Sequence, residues 1–88
     1  MTLGEFVQAE RLIRAAVDHF RSTGNRIQLA NTLYLEGALR AALGQQQVGL
    51  AVFRESLDLF NQLDDLMDVA YTLEAIARIQ VERGDLRV

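Results

Sequence analysis

The chain has 88 residues, half of them hydrophobic, and a net charge of −3 from twelve acidic and nine basic side chains. The mild acidity argues against nucleic acid as a partner. The lack of cysteine excludes disulfides and thiolate metal sites, and no apolar run approaches the ~20 residues that span a bilayer. Residues 1–6 show neither the basic region nor the apolar stretch of a secretory leader, so a single cytoplasmic domain over 1–88 is expected, with no membrane partner.

With no proline anywhere, helices can run long, and glycine, Asn and Asp must supply the breaks. Ala9, Leu12, Ile13, Ala16, Val17 and Phe20 recur at three- and four-residue spacing, which predicts a first helix over about 5–21. Gly24 is placed to end it in the left-handed conformation. Asn25 then reads as the N-cap of the next helix, with Gln28 as its capping-box partner. The second helix, about 26–43, carries Leu29, Ala30, Leu33, Tyr34, Leu35, Ala38, Leu39, Ala41 and Ala42 around much of its circumference, so it is expected to be buried on more than one side. Gly44 terminates it. The third helix, about 46–63, has its stripe at Val48, Val52, Phe53, Ser56, Leu57, Leu59, Phe60 and Leu63. Asp65 takes the capping place of Asn25, and Asp68, in the place of Gln28, suits the positive end of the helix dipole. The fourth helix, about 66–83, carries Val69, Ala70, Leu73, Ile76, Ala77, Ile79 and Val81, after which Gly84-Asp85-Leu86 is expected to begin another turn.

These segments repeat. Sliding the chain by forty residues superposes Gly4 on Gly44 and Gly44 on Gly84. It also superposes Leu3 on Leu43, Arg14 on Arg54, Asp18 on Asp58, Phe20 on Phe60, Ala30 on Ala70, Thr32 on Thr72 and Leu33 on Leu73. A fixed period of this length marks units that bury their apolar faces against one another. Leu43-Gly44-Gln45, then Gly49-Leu50, Phe53 and Ser56-Leu57, resemble the tetratricopeptide repeat. That family sets small residues where helices approach closely, here Ala9, Ala16, Gly37, Gly49, Ser56 and Ala77. The chain departs from the family in its forty-residue period, longer than the usual ~34, and in Arg40 and Gln80, which stand where an aromatic is usual. The longer variant is similar to the repeats of large bacterial multidomain signalling and transcription regulators. The resemblance implies an all-α solenoid of four antiparallel helices in helix-turn-helix repeats, alternating outer and inner. Neither end carries a polar capping helix, so a longer array, or end faces completed by association, is expected.

In that family the inner helices line a concave groove where ligands lie. Carried onto this chain, the groove positions are Asn31, Tyr34, Ala38 and Ala41, then Tyr71, Glu74, Arg78 and Glu82. Tyr34 and Tyr71 suit contact with a protein or peptide, although each could instead pack over a neighbouring helix. Glu74 and Arg78, four residues apart, also form a helical ion pair. The family's clamp for a peptide carboxylate needs lysine, which this chain lacks. His19 has no sequence-adjacent partner on its own helical face for catalysis. Asp64, Asp65 and Asp68 lack the spacing of a calcium loop. No phosphate-binding loop, nucleophile elbow or zinc motif is present, so no catalytic residue, metal or cofactor is expected. The function expected is non-catalytic protein or peptide binding in the groove. The alternative is homo-oligomerisation through apolar ends, near Leu12 and Ile13 at one and Ile76 and Val81 at the other.

Overall fold

Four helices account for nearly all of residues 2–84, which the computed structural model describes. They are α1 (Leu3–Thr23), α2 (Arg26–Ala42), α3 (Gln46–Gln62) and α4 (Leu66–Arg83), and no strand occurs among the described residues. The chain is therefore all-helical, as its periodicity implies. The turn expected at Asp85 and Leu86 lies outside the described residues.

The stops are spaced more finely than the glycines suggest. A left-handed residue occurs every twenty positions: Gly24 (φ 71°), Gly44 (φ 80°), Asp64 (φ 55°) and Gly84 (φ 74°). Asp64 is the one position of the four that bears a side chain, and Asp is among the few residues that tolerate this backbone region. Three times, the amide that follows closes the same reverse bond onto the helix just ended. Asn25 N–H donates to the Phe20 carbonyl (3.1 Å), Gln45 to Arg40 (2.8 Å) and Asp65 to Phe60 (3.0 Å). The Asn25 amide is thereby occupied, so the expected capping box forms only its forward half. Asn25 Oδ1 accepts from Gln28 N–H and Asp65 Oδ1 from Asp68 N–H, both at 3.2 Å. Gly4, forty residues before Gly44, is not a turn. Thr2 Oγ1 accepts from Glu5 N–H at 3.2 Å and starts α1 at Leu3, so Gly4 lies inside the helix.

Sequence neighbours are also spatial neighbours. α1 packs on α2, α2 on α3 and α3 on α4, with α2–α3 the most extensive contact. α2 and α4 touch only narrowly, and α1 does not reach α4, so the helices do not close into a four-helix bundle. The result is a slab of 42 × 36 × 17 Å. Its core has two parts. One gathers Val17, Leu29 and Leu33; the other gathers Leu50, Phe53, Ile76 and Ile79. Ile76, expected at an exposed end, is thus a core residue between α3 and α4, because its side of the helix is the one turned to Leu50 and Phe53.

The α2–α3 crossing shows why the small residues stand where they do. A Cβ on Gly37 would lie 2.8 Å from the Phe53 ring, and one on Gly49 would lie 3.2 Å from the Gly37 carbonyl oxygen. Ser56 Oγ, fully buried, donates to the Ala30 carbonyl at 2.9 Å. Gly37, Gly49 and Ser56 therefore serve the contact between the first helix pair and the second. Arg40 is a further surprise. Its side chain is 9% exposed and joins three elements: Nη1 donates to Gln45 Oε1 (2.9 Å), and Nη2 lies 3.4 Å from Glu10 Oε1 and 3.9 Å from Glu36 Oε1. Its Nε is buried with no hydrogen-bond partner among the described residues.

Candidate functional site: the groove between α2 and α4

Because α2 and α4 both pack on α3 but barely on each other, a groove runs between them with α3 as its floor. Two adjoining cavities fill it, of about 300 and 260 Å³, and Tyr34 lines both. The first is walled by Asn31, Leu35, Asp68 and Tyr71 over Phe60. The second is walled by Ala38, Ala41, Arg78 and Glu82 over Phe53 and Ile79. The floor is closely packed, since Phe53 and Phe60 are each 2% exposed. Tyr34 meets Phe53 edge to face, with ring centroids 5.3 Å apart at 64°. This geometry fixes the tyrosine ring and leaves one edge of it toward the groove.

Of the eight positions expected to line a groove, Asn31, Tyr34, Ala38 and Ala41 fall on one stripe of α2, and Tyr71, Arg78 and Glu82 on the facing stripe of α4. Glu74 is the exception. Its Oε1 accepts from Arg78 Nη2 at 2.8 Å, and it lines neither cavity. Glu82 also accepts from Gln46 Nε2 at 3.3 Å, which ties the end of α4 to the start of α3. Leu35, Ala42, Phe53, Phe60, Asp68, Ala75 and Ile79 complete the lining without having been expected there. For Phe53 and Phe60 the signal was present, since floor residues must come from the helix packed beneath both walls.

The groove's charge sits at its ends, with Asp68 near one and Arg78 with Glu82 near the other. The Asp68 carboxyl is held above the ordinary carboxylate range by hydrogen bonding with Asp65, with burial and the Asp65 charge acting in the same direction. Between the ends the surface is apolar and aromatic, with the Asn31 amide and two phenol hydroxyls as its neutral polar groups. Such a lining can hold apolar side chains and hydrogen-bond a backbone.

Comparison with known protein families, with curated proteins and with solved structures gives no match to this chain.

Two other sequence candidates lie elsewhere. His19 is exposed on α1, edge-on to Phe20 at 5.3 Å, and lines neither cavity. Asp65 is engaged as a helix cap, and no group of acidic or histidine side chains able to hold a metal occurs among the described residues. No helix among those residues is long and apolar enough to cross a membrane.

Proposed function

We propose that this chain is a tetratricopeptide-like repeat module that binds a segment of another protein in the α2–α4 groove, without catalysis. The observation that carries the reading is an apolar trough with a preformed aromatic floor and a tyrosine on each wall. Tyr34 is half-buried against Phe53, while Tyr71 is 55% exposed and sits across from it. The open order of helices and the twenty-residue ladder of left-handed stops support the solenoid reading. A partner segment would place apolar side chains over Phe60 and Phe53 and take backbone hydrogen bonds from Asn31 and the tyrosine hydroxyls.

Peptides selected from a random display library against the 88-residue chain test this. Tyrosine anchors at interfaces commonly contribute about 2 kcal/mol each, so Tyr34→Ala with Tyr71→Ala should weaken selected peptides roughly a thousandfold. Helicity should be unchanged. Equal affinity for the double variant would discard the groove as the binding site.

A further inference from the structure

One face of α4 has no neighbour among the described residues. Leu66, Ala70, Leu73 and Val81 are exposed and, with Ala77, fall within a single stripe that bears no charge. Forty residues earlier, the matching positions of α2 form the contact with α3. Leu33 is 1% exposed where Leu73 is 50% exposed, and Ala30 is fully buried where Ala70 is open. At the other end α1 presents Leu12, with Ala9 and Ala16 half-buried beside it and Phe20 partly packed against the first core cluster. These are the counterparts of Gly49, Val52, Ser56 and Phe60, with which α3 covers α2. Val52 packs into the core, but Leu12 is 62% exposed. The chain thus carries both halves of its own strongest helix contact, unpaired, on opposite end helices.

We infer that a second copy of this chain docks head to tail, its α1 lying on the α4 of the first in the register that α3 takes on α2. The side chains at the crossing agree. Inside the chain, Gly37 leaves room for Phe53. Between copies Ala77 stands in the place of Gly37 and Ile13 in that of Phe53, so a methyl added on one side meets a smaller side chain on the other. Ala9 replaces Gly49, which opens the crossing by a few tenths of an ångström. Leu12 then meets Leu73, as Val52 and Leu33 meet within the first core cluster. Each copy uses two different faces, so the contact does not close at two copies and propagates as a stack. It occupies a different stripe of α4 from Tyr71, Arg78 and Glu82, so it stands independently of the groove reading.

Sedimentation of the 88-residue chain from micromolar to millimolar concentration, with Leu12→Arg and Leu73→Arg, tests the inference. The unaltered chain should exceed dimer mass without levelling off at two copies. Either variant alone should associate at least about a hundredfold more weakly, because the arginine would be buried without a partner. An equimolar mixture of the two should give a one-to-one dimer and nothing larger, since Leu12→Arg keeps its α4 face and Leu73→Arg keeps its α1 face. A chain that stays monomeric, a mixture that stays monomeric, or a Leu12→Arg variant that dimerises by itself would each overturn it. If Leu73→Arg loses helicity, Leu66→Arg with Val81→Arg replaces it, both positions being more than half exposed on the same face.

Discussion

Gly37→Ala adds a single methyl at the tightest point of the fold, and its cost follows from the geometry. The new Cβ would lie 2.8 Å from Phe53 Cδ1 and 2.9 Å from both Cε1 and Cγ. Carbon pairs prefer about 3.5–4.0 Å, so most of an ångström must be found. The ring cannot swing away, because Leu50, Ile76, Ile79 and Tyr34 surround it. The helices cannot easily part either, because Gly49 and Ser56 fix α3 against the carbonyls of Gly37 and Ala30. Overpacking of this kind costs about 1–3 kcal/mol, against a gain of about 1 kcal/mol in helix propensity over glycine. The net expectation is a loss of up to about 2 kcal/mol, or a fall of several degrees in Tm at about 4–8 °C per kcal/mol for a domain this size. Gly4→Ala is the control. Its Cβ would find only Thr2 Oγ1, at 3.9 Å, so the same change there should leave stability equal or raised. Gly37→Leu should be worse than Gly37→Ala, and Phe53→Leu should relieve part of the Gly37→Ala penalty as a coupling in the double-mutant cycle. Thermal and urea unfolding followed by circular dichroism read all of these. A Gly37→Ala protein melting at or above the unaltered chain would refute the close crossing.

Two further changes probe the charges. Asp68 binds its proton more tightly folded than unfolded. Its contribution therefore favours the fold at pH below the ordinary value of 3.8 and is lost as pH rises through its raised folded value. Asp68→Asn keeps the backbone amide that Asp65 caps, so relative to the unaltered chain it should gain a few tenths of a kcal/mol between acid and neutral pH, the scale of an exposed like-charge pair. A flat difference across urea melts at several pH values would contradict this. Arg40→Met removes one partner and leaves the half-buried carboxylates of Glu36 and Glu10 uncompensated, so it should cost about 1–3 kcal/mol, less than at a fully buried pair because both keep some access to water. A variant as stable as the unaltered chain on unfolding would show that the Arg40 contacts to Glu10 and Gln45 add no net stability.

Much of the architecture is legible in the residues themselves. Asn25 and Asp65 announce helix starts, Gly24 and Gly44 announce stops, and α4 runs over the span its periodicity predicts. What escapes is whatever depends on a neighbour. Leu33 and Leu73 are the same residue in the same pattern, yet only Leu33 has a helix laid over it. Ile76 reads as one apolar residue among several, and only the position of α3 makes it core. Arg40 stands where the repeat family has an aromatic, and only convergence with Glu10 and Gln45 explains its burial. Gly4 matches Gly44 in the repeat, yet the Thr2–Glu5 cap sets it inside α1, so the match does not carry over to conformation. The wall positions of the groove were implied by the resemblance to tetratricopeptide repeats, not by the periodicity itself. Glu74 departs from them: it lines neither cavity and pairs with Arg78 along the helix.

The most direct test of the central claim maps the bound surface. Backbone amide shifts of the labelled chain are followed on titration with a library-selected peptide, at a concentration where Leu73→Arg keeps the protein monomeric. The account expects the largest shifts at Asn31, Tyr34, Ala38, Tyr71 and Arg78, with α1 silent. Shifts concentrated on α1, or on the Leu66–Val81 face of α4, would contradict it.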